Sequence, residues 1–460
     1  MTSAQLPFSS WRPLSGEIRE RVVKVLDSIG ERYRNPEEVC LRSKSIPTLE
    51  VDGFEIERWN DGILSNGYPG ICLLLAQLDL LYPEDGWDQT GHMYLEKLQK
   101  LMEEMGMYDL SLYSGLAGVL IGIRALSRGG TRYQSMLNQV ASWFEELAAE
   151  RIPLYMEQWH SGHLKMSDYD TIMGFTGIGR IILFFYERPK MKELWGQIVG
   201  CFQLFCGDKN WEGQRIPFWH ICAEHQFLQD EKRQYPKGNF NLSLSHGIAG
   251  PLALMSISVL QGVTSKEVNK EIPTLAEWLT KWQIESQVGT IWPGKVSFEE
   301  WEQSELSVGN TQYQRDSWCY GAPGIARSIW LAGKALQNDE WISLGLKAYL
   351  DIENRIDQNG GMASATVCHG LGGLLHLLQR MYSDTGNERL GALRDLLVER
   401  VLDMFDPNSI FGYYDVNFLN GDYKNIDEAG FLTGTAGIAL VLASLISDRS
   451  PEWDAVLMIR

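Results

Sequence analysis

A Gly-x-x-Gly step followed at once by an apolar run of helical length occurs seven times in this chain, and that recurrence limits the fold more than any other feature. The copies read NGYPGICLLLAQL from Asn66, SGLAGVLIGIRAL from Ser114, MGFTGIGRIILFF from Met173, HGIAGPLALMSI from His246, YGAPGIARSIWLA from Tyr320, HGLGGLLHLLQRM from His369 and TGTAGIALVLASL from Thr433. A lone step would mean little; seven in one context mark a repeat. The first glycine can take a positive φ where the chain turns, and the second removes a side chain where the helix start packs against a neighbour. Between the copies, stretches such as YLEKLQKLMEEM and YQSMLNQVASWFEELAAE space apolar residues three and four apart among charges, the pattern of amphipathic helices. Polar-faced outer helices alternating with nearly all-apolar inner ones close economically into a ring. The predicted fold is therefore all-α, an α/α toroid of seven inner and seven outer helices. Its glycine loops gather at one end and face the central opening.

The intervals Gly177 to Gly247 and Gly250 to Gly321 are the longest, and both hold material unlike the repeat. Aromatic and β-branched residues among Gly/Pro turns favour short strands or long loops there. The predicted organisation is a toroid from residues 1–205 and 243–460, with 206–242 as an inserted strand/loop subdomain that 288–312 is placed to join.

Composition narrows the function classes. A formal net charge of −18 argues against nucleic-acid binding, which needs a basic face to displace counterions. Acidity suits a cationic partner and equally serves solubility. The N-terminal stretch lacks the basic and apolar regions of a secretory signal, and the longest apolar runs fall short of the roughly 18–20 residues that span a bilayer. A cytoplasmic location is expected. Seven scattered cysteines fit buried thiols plus a metal or catalytic site better than disulfides in such a compartment.

Repeat register then selects residues. Cys319 and Cys368 both stand two positions before the first glycine of their steps, and His369 and His246 stand immediately before theirs. A cysteine before a glycine is by itself more often a small buried residue than a ligand, but equivalence across repeats puts these donors on consecutive loops at one end of the ring. Two thiols and an imidazole suit zinc, and three protein ligands leave a fourth tetrahedral position for water or substrate. Cys201, Cys206 and Cys222 with His220 and His225 offer a weaker second cluster, whose spacing matches no usual zinc pattern.

The segments SWCYGAPG, CHGLGG, LSHGIAG and DYDTIMGFTG resemble the motifs of the lanthionine synthetase C family, the cyclases of class I lantibiotic biosynthesis. The resemblance covers nearly the whole chain and implies an α/α toroid with a small inserted domain. It also implies one zinc held by Cys319, Cys368 and His369, and functional roles for His246, Asp170 and Arg315 with Trp318 and Tyr320 beside them. The implied reaction is intramolecular Michael addition of peptide Cys thiols to dehydroalanine or dehydrobutyrine. In that scheme His246 donates the proton, Arg315 steadies enolate charge, Asp170 orients the imidazole, and Trp318 and Tyr320 wall the pocket. Implied partners are a dehydrated precursor peptide with its leader, and a dehydratase and ABC exporter in a complex at the inner face of the cell membrane. Two alternatives stay open at this point: a relative that adds glutathione to dehydroamino acids, and a non-catalytic zinc-containing scaffold that binds a peptide.

Overall fold

The computed structural model describes residues 10–51, 54–162, 164–263, 268–311, 315–357, 362–419 and 422–460. Each apolar run after a glycine step is an inner helix: Tyr68–Leu81, Leu116–Leu126, Phe175–Phe184, Ala249–Leu260, Ala322–Leu336, Leu371–Thr385 and Thr435–Ile446. Each of these touches the next, and the last packs against the first, so the inner layer is a closed seven-helix ring. The amphipathic helices Gly16–Arg32, Trp87–Met105, Gln134–His160, Pro189–Phe205, Val268–Lys281, Asp339–Leu350 and Glu388–Asp403 surround it. Each packs on an inner helix, and Trp87–Met105 and Val268–Lys281 on two, with Gly16–Arg32 closing the circuit against Thr435–Ile446. The all-α toroid predicted from the repeat is the observed architecture.

The glycines explain the closure. Relative to the second glycine of each step, the residue six positions back belongs to the turn before the helix, and its carbonyl crowds that glycine. A Cβ on Gly437 would sit 1.8 Å from the Phe431 oxygen, and one on Gly373 would sit 2.0 Å from that of Val367. The same Cβ would meet the equivalent residue of a neighbouring repeat: Gly70 meets Phe431, Gly118 meets Leu64, Gly177 meets Leu112, Gly250 meets Thr171, Gly324 meets Leu244, Gly373 meets Trp318 and Gly437 meets Val367. Every repeat is thus pressed against the next, all the way round.

The first glycines differ from expectation. Only Gly321 has a positive φ, +105°; Gly67, Gly115, Gly174, Gly370 and Gly434 are extended, as with Gly67 at −140° and Gly434 at −114°. Glycine is needed at those positions for space instead. The loop folds back so closely that a Cβ on Gly67 would lie 2.0 Å from the Asn60 oxygen, and one on Gly434 2.2 Å from the Gly430 nitrogen.

Backbone hydrogen bonds link the loops as well. The N–H of Ser65 donates to Tyr113, Tyr113 to Ile172, Thr171 to Ser245, Ser245 to Cys319, Cys319 to Cys368, Cys368 to Leu432, and Leu432 back to Ser65, at 2.8–3.4 Å. Beneath this circuit the C-terminal residues occupy the bore. Tyr113 Oη donates to the Val456 carbonyl (2.9 Å), Trp318 Nε1 to Leu457 (2.8 Å), Arg327 Nε to Ile459 (2.9 Å) and Arg180 Nη2 to Arg460 (3.2 Å).

All described strands lie in connections that run from an outer element to an inner helix, so they crown the glycine-loop end. Asp208–Trp211 pairs with Gln214–Pro217, and Ile284–Ser286 with Gly289–Ile291. Asn239–Asn241 pairs with Lys295–Ser297, which ties the two segments unlike the repeat to one another. Two hairpins outside those segments, Leu49–Val51 with Phe54–Ile56 and Tyr414–Leu419 with Asp422–Asp427, carry no repeat signal in the sequence. No described helix is long and apolar enough to cross a membrane.

Replacing a ring glycine tests the crowding argument. Gly437→Ala should lower stability by about 1–3 kcal/mol through overpacking, read as a shift in the denaturant midpoint. Gly196→Ala, on the helix Pro189–Phe205 with nothing within 4 Å of its new Cβ, should be neutral or stabilising by up to about 1 kcal/mol. Equal shifts in the two variants would contradict the ring-packing account.

Candidate functional site

Adjacent membership in the loop circuit brings the two register cysteines together. The Cys319 N–H donates to the Cys368 carbonyl at 3.1 Å, and the two thiols interact electrostatically. Each thiol's proximity to the other holds the Cys319 thiol well below its usual range, against burial, and pushes the Cys368 thiol well above. The positive charge of Arg315, an exposed residue four positions before Cys319, favours the ionised form of both, and Ser317 Oγ lies 3.6 Å from the Cys319 sulfur.

His369, next to Cys368, is half-buried and points Nε2 at Asp415 Oδ1, 3.1 Å away. Burial alone would lower its pKa, but the hydrogen bond and charge of Asp415 outweigh that and raise it. Asp415 is itself 4% exposed and belongs to the strand Tyr414–Leu419.

One loop away in the circuit, His246 Nδ1 lies 2.6 Å from Asp170 Oδ2. Asp170 is 1% exposed and its other oxygen accepts the backbone N–H groups of Met173 (2.7 Å) and Gly174 (2.9 Å) at the start of an inner helix. The carboxylate therefore braces its own loop with one oxygen and orients the imidazole with the other. With Nδ1–H directed to Asp170, Nε2 is the nitrogen left for proton exchange. Asp170 pairs with His246 and not with Arg315.

Tyr320 stands beside this dyad, its ring centroid 6.3 Å from that of His246, and its hydroxyl accepts from Asn241 Nδ2 at 2.9 Å. Burial raises its pKa, so it stays a neutral phenol. Arg315 and Tyr320 line a small cavity with Trp292 and Gly294. Trp318 departs from the expected role of pocket wall. It is fully buried, it bonds to Leu457 in the bore, and its Cβ packs on Gly373. Its place six residues before Gly324 makes it a ring-packing residue.

Among the described residues no three His, Cys, Asp or Glu side chains converge closely enough to hold an ion as they stand. The weaker cluster is dispersed: Cys201 is buried in a helix, His220 Nε2 engages the Lys237 carbonyl and His225 Nδ1 that of Leu164. Cys319, Cys368 and His369 differ in donor chemistry. Two thiols on neighbouring loops and an imidazole whose Nε2 already engages a carboxylate fit a zinc ligand set with its supporting group. Register could not reveal Asp415 or Asn241, because both come from strands outside the repeat.

A family model described as lanthionine synthetase C-like protein matches residues 58–458. The nisin biosynthesis protein NisC of Lactococcus lactis subsp. lactis is 25% identical over 399 residues, covering 86% of this chain and 88% of that protein. A solved structure of nisin cyclase superposes with a TM-score of 0.74 at 22% identity, covering 97% of this chain and 98% of that one. At that identity the superposition speaks for the fold.

The Asp170–His246 pair carries a pH prediction. The His246 pKa is raised above 6.5: burial lowers it, and the Asp170 hydrogen bond and charge, with Cys319, more than reverse that. Its contribution to stability is then complete below the unfolded value of about 6.5 and disappears as pH rises through the folded value. An NMR titration should place the imidazole above 6.5, and Asp170→Asn should bring it down. An unchanged value in the variant would remove Asp170 as the cause.

Proposed function

The chain belongs to the lanthionine synthetase C-like family, and from that premise we propose that it is a zinc-dependent cyclase that closes thioether rings in a dehydrated peptide. One observation carries the reading: the Asp170–His246 dyad and the Cys319, Cys368 and His369 set stand on neighbouring loops of one hydrogen-bonded circuit. A proton-exchanging group thereby borders a metal-type donor set. NisC and nisin cyclase, by name, act in the making of nisin, and a lanthipeptide precursor is the corresponding substrate here.

Cys319, Cys368 and His369 would hold the zinc. Bound there, it supplies the Lewis acidity that keeps a peptide thiol deprotonated near neutral pH, where a free thiol of pKa about 8.5 is mostly protonated. The sulfur adds to the β-carbon of dehydroalanine or dehydrobutyrine, the π electrons move to the carbonyl as an enolate, and the α-carbon takes a proton. Arg315, which lines the small cavity with Tyr320, would stabilise the enolate oxygen through a permanent positive charge. His246, held by Asp170, delivers the proton from Nε2, and its raised pKa keeps it charged further into the neutral range. Tyr320, set by Asn241, presents a neutral hydroxyl alongside. One S–H is consumed and one C–H is formed, so no mass is gained or lost. The precursor's leader and a dehydratase with an exporter complete the proposed context.

Three measurements test the proposal together. Native protein should remove free thiols from a dehydrated, cysteine-containing peptide without changing its mass, as read by alkylation, and chelation should slow this strongly. Cys319→Ala and Cys368→Ala should lose metal while circular dichroism stays helical; unfolding of both would favour a structural metal. His246→Ala should keep its metal and lose about 10²- to 10⁴-fold in rate. A mass gain of glutathione on the peptide in place of ring closure would replace the cyclase with the glutathione-adding relative.

A further inference from the structure

The residue holding His369 comes from outside the repeat, and its surroundings are built for the purpose. Asp415 Oδ1 receives His369 Nε2 at 3.1 Å and the Ser364 hydroxyl at 3.1 Å, while Oδ2 receives Asn417 Nδ2 at 2.7 Å. Ser364 belongs to the turn that leads into Cys368 and His369, and its carbonyl accepts the Leu371 N–H at 2.9 Å. Asn417 shares the strand of Asp415, two residues on and therefore on the same face. The carboxylate is thus fixed from both ends before it meets the imidazole. At 4% exposure it has little water to compete for it. The start of the second hairpin strand's exit is pinned too, since Glu428 pairs with Arg58 and accepts from Thr433.

A carboxylate accepts and cannot donate, so it selects the ring form that carries hydrogen on the nitrogen facing it. We propose that Asp415 is a positioning residue that fixes His369 as the Nε2–H tautomer and so reserves Nδ1 for the metal. The proposal rests on the zinc reading above for the identity of the metal, but the tautomer follows from the hydrogen bond itself. It assigns a function to the hairpin Tyr414–Leu419 with Asp422–Asp427: this element, inserted between an outer helix and the last inner helix, supplies the supporting group for a ligand on the preceding glycine loop. Such carboxylate–histidine support orients the ring and raises its basicity as a ligand.

The test compares native protein with Asp415→Asn, which keeps the shape of the side chain but can donate as well as accept. In metal-free native protein, nitrogen-resolved NMR of His369 should show hydrogen on Nε2 over the pH range where the ring is neutral. In Asp415→Asn that preference should weaken, and competition with a chromophoric chelator should show zinc affinity reduced by about 10- to 100-fold, with helicity unchanged. Should Asp415→Asn fail to fold, Ser364→Ala removes one donor to the carboxylate while leaving its charge, and should weaken zinc binding in the same direction by a smaller factor. Native-like tautomer and native-like affinity in a folded variant would overturn the proposal. If native protein takes up no zinc, the metal reading fails, and the NMR comparison on metal-free protein still decides whether Asp415 sets the tautomer.

Discussion

A closed circuit of backbone hydrogen bonds, one from each glycine loop to the next, is the constraint on which the rest of this molecule depends. It runs from Ser65 through Cys319 and Cys368 to Leu432 and returns to Ser65. Backbone groups buried at the ends of inner helices need partners, and neighbouring loops supply them only if the inner helices lie close. The second glycine of each step permits that approach: a methyl group there would collide with a carbonyl of its own loop and with the next repeat. Crowding and hydrogen bonding therefore reinforce one another. Trp318 and Tyr113 extend the arrangement downward by donating to the C-terminal carbonyls in the bore.

The site inherits its geometry from this circuit. Cys319 and Cys368 meet because consecutive members of the circuit must meet, and His246 lies one member away, after Ser245, whose N–H reaches the Cys319 carbonyl. Seven inner helices begin at this end, so their positive termini face a chain of net charge −18. The Cys319 thiol, held below its usual range, and the buried Asp170 lie at this end. Two of the groups that orient site side chains come from the crowning strands, Asp415 from the C-terminal hairpin and Asn241 from the strand paired with Lys295–Ser297, while Asp170 stands on a glycine loop itself. The toroid supplies position and the Asp170 support of His246, and the small sheets supply the remaining support.

Reading the sequence failed where a residue's meaning depended on its surroundings. The first glycines suggested turns of positive φ, yet only Gly321 has one, because in the other loops it is a close backbone approach that excludes a side chain. Trp318, adjacent to a register cysteine, suggested a pocket wall, but its register position belongs with Leu64, Leu244 and Val367, all of which pack against a ring glycine. The turn closed by Ser317 and Tyr320 carries both residues, and within it Trp318 bonds to Leu457 in the bore while Cys319 bonds to Cys368 on the next loop.

Seven spaced glycine steps, each joined to an apolar helix, were enough by themselves to point to a closed seven-fold α/α ring, since such units bury their all-apolar helices most economically by closing on themselves. Shared register also singled out Cys319, Cys368, His369 and His246, because residues equivalent in a repeat become neighbours in space. Tertiary structure alone decided which partners those residues have. Asp170 reaches His246 across 76 positions of sequence, and Asp415 reaches His369 across 46. Pairings of that range have no periodic trace in the chain. They exist only after the ring has closed and its crowning hairpins have been laid against the loops.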